Sequence, residues 1–457
     1  MEAQGIDSSN MEFKGMKNNV MTVAVPVDDI SNQSVKTFAE KMKVSSILIN
    51  INVVTGDLSY VVTIDAGQMS SALTALEPKL GMETIQKIES GFGIGNKVND
   101  WRDVAAGKIE VAFNSDGDVT SLTFDMYVGA LTGVMKDFVG DVLGITGDKN
   151  TIRVRIDASG NGMVLADNVD AAKLLNYLND AGIGADFVAK FIGLKNPKIV
   201  SGAFAVLSDA AGNVTGFEGD ALVQVTAKQS ASYMVRAGEN YNLSLGDISE
   251  VFGDQTLVTM KISSGSAETT LESISFDSKG ANPDDILRKL SQLPNEITNV
   301  VSGVLTALTK MPKGVDWQVK IDLGVDKDKG LKVGVTVTIT NLSASNIAEI
   351  AKAFNLKISD LKSIHEGENL VIFTLDGKDF SVIKSAKDTA KVMDAGELMA
   401  KIDAGIGKLQ AMRSELVEKM DTMDKDTALK AIAVLDNAIG ELTSMANDLA
   451  KAIGSMD

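Results

Sequence analysis

Apolar and polar residues alternate through most of the first 380 residues, in pairs of segments that short polar turns separate. A period of two places successive side chains on opposite faces, so each segment is predicted to be a β-strand with one buried face. Most of the turns contain Asp or Asn close to Gly, which supplies the positive φ that tight hairpins need. The predicted hairpins pair 45–54 with 58–65, 108–113 with 119–128, 151–157 with 163–167, 200–209 with 214–227, 255–264 with 269–278, and 317–326 with 331–340.

Most of these hairpins are followed by a segment whose apolar residues recur every three or four positions, which predicts an amphipathic helix. The helices are predicted at 69–90, 131–144, 168–194 with a break at Gly182–Gly184, 283–310 with a break at Pro294, and 343–354. A last strand is predicted at 368–377. The recurring order predicts an α+β fold of repeated ββα units. These would form one large twisted antiparallel sheet, or two such sheets, with helices on one face.

The pattern changes near residue 395, where strand residues give way to two helical stretches. Their apolar stripes are Leu398, Ile402, Ile406, Leu409, Met412, Leu416 and Met420, and then Leu429, Ile432, Leu435, Ile439, Leu442, Met445, Leu449 and Ile453. A turn at Asp424–Thr427 joins two helices of about 40 Å each, which predicts an antiparallel helical hairpin. Because two helices alone bury little surface, the hairpin is predicted to dock on the β-rich body or on another subunit.

Four regions follow from these patterns. Residues 1–20 are predicted to be a flexible arm, or a strand that pairs only on assembly. Residues 21–195 and 196–394 hold the first and second groups of ββα units, and residues 395–457 hold the helical hairpin.

Composition narrows the function classes. The chain of 457 residues has 44 basic and 61 acidic side chains, a net charge of −17, which argues against nucleic-acid binding. It has no cysteine and one histidine, His365, so disulfides, thiolate nucleophiles and sites with two histidine ligands are excluded. No cofactor is expected. Six prolines leave room for long hydrogen-bonded strands and helices.

The sequence predicts no transmembrane segment, because no stretch approaches the roughly 18–20 apolar residues that span a bilayer. The residues MEAQGIDSSNMEFKG show no basic region followed by an apolar core, so they are not interpreted as a signal peptide.

Four features are candidate sites, each with a plainer interpretation. Gly91-Phe-Gly-Ile-Gly95 resembles part of a dinucleotide loop, but it follows a helix and is better explained as a helix end. His365 lies in a polar turn without an evident partner, and it is predicted to be dispensable. Trp101 is a candidate contact for a carbohydrate or a partner, whereas Trp317 is predicted to lie in the core. Calcium is considered at the acidic turns that hold Asp116 and Asp118, Asp209 and Asn213, and Asp326 and Asp328.

Twenty methionines, many on predicted helices, indicate core packing or an adaptable apolar surface. The apolar stretches 128–144 and 296–309 are candidates to line a groove for a lipid.

These observations favour a non-catalytic cell-envelope or extracellular protein that acts through self-assembly or surface interaction, with self-association through the C-terminal helices. Two alternatives stay open: a carrier of an apolar ligand, and a carboxylate-based hydrolase. The sequence singles out no catalytic, cofactor-binding or metal-binding residue.

Overall fold

The computed structural model describes residues 11–17, 20–90, 98–209, 211, 213–326, 330–340, 342, 344–356 and 369–384, together with seven positions between 410 and 436. Two compact units are present, Met1–Lys384 and Ser385–Asp457. The described residues of the first unit form 18 strands and ten α-helices.

The strands are β1 Glu12–Lys17, β2 Val20–Pro26, β3 Ser46–Asn52, β4 Leu58–Asp65, β5 Ala105–Asn114, β6 Val119–Tyr127, β7 Thr151–Asp157, β8 Gly162–Val169, β9 Lys198–Ser208, β10 Val214–Thr226, β11 Met234–Ala237, β12 Tyr241–Ser244, β13 Leu257–Ser263, β14 Thr270–Asp277, β15 Asp316–Asp326, β16 Gly330–Thr340, β17 Leu370–Thr374 and β18 Ser381–Lys384. The helices are α1 Gln33–Lys41, α2 Met69–Leu80, α3 Met82–Ser90, α4 Gly133–Asp141, α5 Ala171–Ala181, α6 Ala185–Ala189, α7 Leu245–Phe252, α8 Pro283–Lys289, α9 Asn295–Leu308 and α10 Ala344–Ala353.

One antiparallel sheet contains all of these strands. Each strand from β1 to β10 pairs with the next, β10 pairs with β13, and consecutive pairing resumes from β13 to β18. The β11–β12 hairpin joins beside β14 through one parallel bridge, Arg236 with Thr270. The predicted α+β class with a large antiparallel sheet is therefore confirmed. β8 and β9, which lie on either side of the predicted boundary at residue 195, pair with each other, so the sheet continues from the first predicted group of units to the second.

The six predicted hairpins are all present, and most bounds agree within a few residues. The break at Gly182–Gly184 is confirmed, because Asp170 caps the start of α5 and Gly182 ends it with a left-handed φ of 68°. The predicted helix over 69–90 is divided at Gly81, whose φ is 80°. The elements β2, α1, β11, β12, α7 and β18 are absent from the sequence-based prediction.

The hydrophobic core lies between the sheet and the helices. It combines alternate strand residues, such as Ile49 in β3 and Val319 in β15, with helical residues such as Phe138 in α4 and Val301 in α9. The ring of Phe138 lies 5.4 Å from that of Tyr177 and 6.3 Å from that of Phe204, which joins two helices to β9. We call this side of the sheet the helical face.

The two predicted terminal regions have different outcomes. Residues 12–17 of the predicted arm form β1, which pairs with β2 of the same chain. Most of the predicted C-terminal hairpin lies outside the described residues. The described positions 410, 413, 414, 417, 432, 435 and 436 are helical. Arg413 Nε donates to Asp436 Oδ1 at 2.6 Å, so these two described residues are in direct contact.

Candidate functional site

The opposite side of the sheet, which we call the strand face, carries polar residues on most of its strands. In β15, Gln318, Lys320 and Asp322 alternate with core residues. Since successive side chains point to opposite faces, these three belong to the strand face. Arg153 makes ion pairs there across neighbouring strands, with Glu110 at 2.6 Å and with Asp125 at 3.5 Å. The strand face therefore has its own network of charges.

The turn between β3 and β4 contacts β15 and β16, which are distant in the order of strands. A Cβ atom added to Gly334 would lie 2.8 Å from a methyl group of Val54, and one added to Gly324 would lie 2.9 Å from the methyl group of Thr55. Nine strands separate β3 from β15 in the pairing order, namely β4 to β10, β13 and β14. The contact therefore requires the sheet to curl with the strand face inside.

The turn is held by its own hydrogen bonds. Asn52 Oδ1 accepts from the amides of Val54 at 3.0 Å and Thr55 at 3.1 Å, and Thr55 Oγ1 donates to Asp57 at 2.6 Å. Gly56 adopts a φ of 82°, which suits a glycine in a tight turn. The turn thus presents Val54 and Thr55 to the two glycines as a preformed unit.

A cavity of about 500 Å³ lies on the strand face beside this contact. Most of its lining residues are polar: Asn52, Val54, Asp167, Asn168, Val200, Ser201, Leu222, Gln224, Thr259, Glu272, Ser273, Lys320, Asp322, Leu323 and Gly324. A second cavity of about 460 Å³ shares four residues with it, Asp167, Ser201, Leu222 and Glu272. The two cavities are parts of one groove, which Arg155, Asp220 and Lys261 extend.

Glu272 reaches this groove because of an irregularity in β14. Ser273 pairs with Thr259 and Leu271 pairs with Met260, so Glu272 is an extra residue opposite the junction. A bulge of this kind redirects a side chain and is common beside functional sites. Burial raises the pKa of the Glu272 carboxyl. Lys261 opposes this effect, nearby Asp322 adds to it, and Lys320 opposes it.

Two other carboxylates of the groove, Asp322 and Asp220, each have a lysine close by. Asp322 is buried, with 7% of its side chain exposed, and Lys320 Nζ lies 2.7 Å from its Oδ1. Lys261 Nζ lies 4.0 Å from Asp220 Oδ2. The side chain of Glu272 makes no hydrogen bond or ion pair with any residue that the structure describes. Glu272 is therefore a partly buried carboxylate without a direct partner among the described residues.

The tryptophans both lie in the core. Trp101, a candidate surface contact from sequence, is 2% exposed and packs edge-on against Phe124 at 5.9 Å, so the contact interpretation is wrong. Trp317 is buried against Phe276 at 6.2 Å, as predicted. The polar sequence around Trp101 is misleading because it forms a short turn whose single apolar side chain points inward.

Two carboxylates of the acidic turns, those of Asp118 and Asp209, are engaged within the protein. Asp118 lies 3.1 Å from Lys79 Nζ. Asp209 Oδ1 accepts from the amides of Ala211 and Asn213, both at 2.9 Å. The side chains of Asp326 and Asp328 lie outside the described residues, as do His365 and the glycine run 91–95. Within the described residues, no group of three or more acidic or histidine side chains is placed to hold a metal ion.

The helical face has an apolar hollow of about 320 Å³ between α1 and α2. Phe38, Leu76, Pro78 and Phe113 contribute to it. The stretches 128–144 and 296–309, which are predicted from sequence to line a lipid groove, do not line this hollow. In those stretches Phe138, Val301 and similar residues are buried in the core.

Comparisons with known proteins return no match: no protein-family model fits the chain, and no curated protein and no solved structure is found to resemble it. Among the described residues, no helix has both the length and the apolar character needed to cross a membrane.

Proposed function

We propose that this protein is a non-catalytic binding protein of the cell envelope or the extracellular space, and that a small polar ligand occupies the strand-face groove. The observation that carries the proposal is the cavity of about 500 Å³ inside the curled sheet. This volume lies in the range of about 300–1,000 Å³ that is usual for small-molecule sites. The absence of cysteine and the net charge of −17 support the proposed location.

The chemistry of the lining supports a polar ligand over the apolar one considered from sequence. The cavity offers amide groups from Asn52 and Gln224 and hydroxyl groups from Ser201, Thr259 and Ser273. A lipid chain would leave these groups without partners, and each unpaired buried group costs about 1–3 kcal/mol. A ligand rich in hydrogen-bonding groups would satisfy them.

The experiment fills the groove and compares binding. Ser201 lines both cavities, and Ser201→Trp places an indole between them. Thr37→Trp, at the apolar hollow on the helical face, introduces the same side chain elsewhere. We expect small polar compounds in a thermal-shift screen to stabilise the natural protein and Thr37→Trp but not Ser201→Trp. Equal stabilisation of all three proteins would contradict the proposal. Mass spectrometry of the recovered compounds would show whether any is hydrolysed, as the carboxylate-based alternative requires.

A second candidate function, self-assembly, is favoured by the ends of the sheet. Within the described residues, β1 pairs only with β2 and β18 only with β17, so each leaves one edge available. Phe13 on β1 is 53% exposed. An open edge with exposed apolar residues can pair with another chain. Measurement of the oligomeric state over a range of protein concentrations tests this candidate. Phe13→Lys should reduce association, and a natural protein that stays monomeric at every concentration would exclude edge pairing.

A further inference from the structure

Glu272 supplies a carboxylate that the groove presents to a ligand. The bulge in β14 directs it to the shared part of the two cavities, beside Asp167, Ser201 and Leu222. The Glu272 oxygens make no hydrogen bond within the described part of the chain, yet they are not fully buried. Among the described residues, only Glu296 has a fully buried side-chain oxygen without a hydrogen-bond partner. A molecule in the groove can therefore reach the Glu272 carboxylate.

The two lysines that act on the Glu272 carboxylate each have another carboxylate beside them, and they offset the cost of its burial only in part. Lys320 is engaged with Asp322 at 2.7 Å, and Lys261 lies 4.0 Å from Asp220. Removing a carboxylate from water without a partner is unfavourable, and a cation within hydrogen-bonding distance offsets that cost. An anionic ligand would instead meet repulsion from Glu272 and Asp167, the two carboxylates in the shared part of the cavities.

We propose that the groove binds its ligand through a positively charged nitrogen group, an alkylammonium or a guanidinium, which donates hydrogen bonds to the Glu272 carboxylate. This inference rests on the proposed function and names the ligand class. A nitrogen cation needs only one carboxylate for a charge-assisted hydrogen bond. Calcium, in contrast, takes about six to eight oxygen ligands, and among the described residues no group of three or more acidic or histidine side chains is placed to hold a metal ion.

The test uses n-butylammonium chloride as the probe and n-butanol as its neutral counterpart, with binding followed by NMR titration of the full chain. Glu272→Gln removes the charge with little change of shape. Glu218→Gln is the matched control, because Glu218 lies exposed on β10 outside both cavities. We expect Glu272→Gln to weaken butylammonium binding by about tenfold or more and Glu218→Gln to leave it within about twofold. n-Butanol should bind much more weakly than butylammonium to the natural protein.

Three outcomes would overturn the inference: no butylammonium binding at millimolar concentration, equal binding to Glu272→Gln and the natural protein, or equal binding of butanol and butylammonium. Erythritol, a neutral polyol, separates this failure from failure of the proposed function. If Ser201→Trp abolishes erythritol binding while Glu272→Gln leaves butylammonium binding intact, the groove binds polar ligands but the cation assignment is wrong. If Ser201→Trp changes the binding of neither probe, the groove itself is not the site.

Discussion

The helical face and the strand face of the sheet are built from the same strands, yet their residues are buried for different reasons. On the helical face, Ile49 of β3 and Val319 of β15 lie in the core between the sheet and the helices, together with Phe138 of α4. On the strand face, Lys320, Asp322 and Glu272 become partly or largely buried because the sheet curls and the β3–β4 turn contacts β15 and β16. Burial on the first face follows from local pattern, and burial on the second follows from a long-range contact.

The largest expected effect is on the helical face. Phe138 is fully buried and its ring contacts both Tyr177 and Phe204. Phe138→Ala should lower the free energy of unfolding by about 3–5 kcal/mol, since it leaves a cavity among packed rings. Phe13→Ala, at an exposed ring, should change it by less than about 0.5 kcal/mol. Urea denaturation measures both, and similar losses in the two variants would show that this face is not the stabilising core.

A smaller loss is expected when the strand-face ion pair is broken. Lys320→Met leaves Asp322 with 7% of its side chain exposed and no cation beside it. Because Lys320 is itself partly exposed, we expect a loss of about 2–3 kcal/mol, below the cost of breaking a fully buried pair. Lys108→Met is the control, since Lys108 pairs with Asp65 in solvent and should contribute less than about 1 kcal/mol. Equal losses would mean that Asp322 is solvated and that the cavity is wider than described.

The contact of the turn with the glycines should tolerate little added volume. Gly334→Ala places a methyl group 2.8 Å from Val54 and 3.2 Å from Phe373, and should cost about 1–3 kcal/mol. The double variant with Val54→Ala should recover part of that loss, because the clashing methyl groups are gone. Gly140→Ala in α4, where the nearest atom is 3.9 Å away, should be neutral or stabilising. Additive losses in the double variant would show that Val54 does not contact Gly334.

The smallest effect concerns pH. The folded-state pKa of Glu272 is raised from 4.5, first by burial, with Lys261, Asp322 and Lys320 as the neighbouring charges. A raised pKa adds stability that is complete below the unfolded-state pKa and is lost as pH rises through the folded-state pKa. The stability of the natural protein relative to Glu272→Gln should therefore decline from about pH 4.5 upward.

Asp376 provides the opposite sign for comparison. The amides of Asp379 and Lys378 donate to its carboxylate and lower its pKa below 3.8. Its contribution should be present above pH 3.8 and lost as pH falls through the lowered pKa. As the pH rises, the melting temperature of the natural protein should fall relative to that of Glu272→Gln and rise relative to that of Asp376→Asn. A parallel response would contradict the burial of Glu272.

The sequence predicts the helical face well and the strand face poorly. The hairpins are readable because alternation and Asp/Asn–Gly turns are local signals, and the break at Gly182–Gly184 is readable from glycine. The elements β11, β12 and β18 are four residues each, too short for a clear period. Lys320, Asp322 and Glu272 look solvent-facing in sequence, because nothing near them encodes the contact between Val54 and Gly334. The bulge at Glu272 is likewise set by pairing with β13.

The closure of the strand face is tested most directly by a disulfide in a chain that has no cysteine of its own. The Cβ position of residue 324 lies 2.9 Å from the Thr55 methyl group, so Thr55→Cys with Gly324→Cys places the two sulfur atoms within bonding reach. Thr55→Cys with Gly140→Cys, on α4 of the helical face, is the control. Mild oxidation at low protein concentration should give an intramolecular disulfide in the first pair alone, detected by mass spectrometry. Free and reactive thiols in both pairs would show that the turn does not contact β15, and the cavity and the function proposed for it would lose their basis.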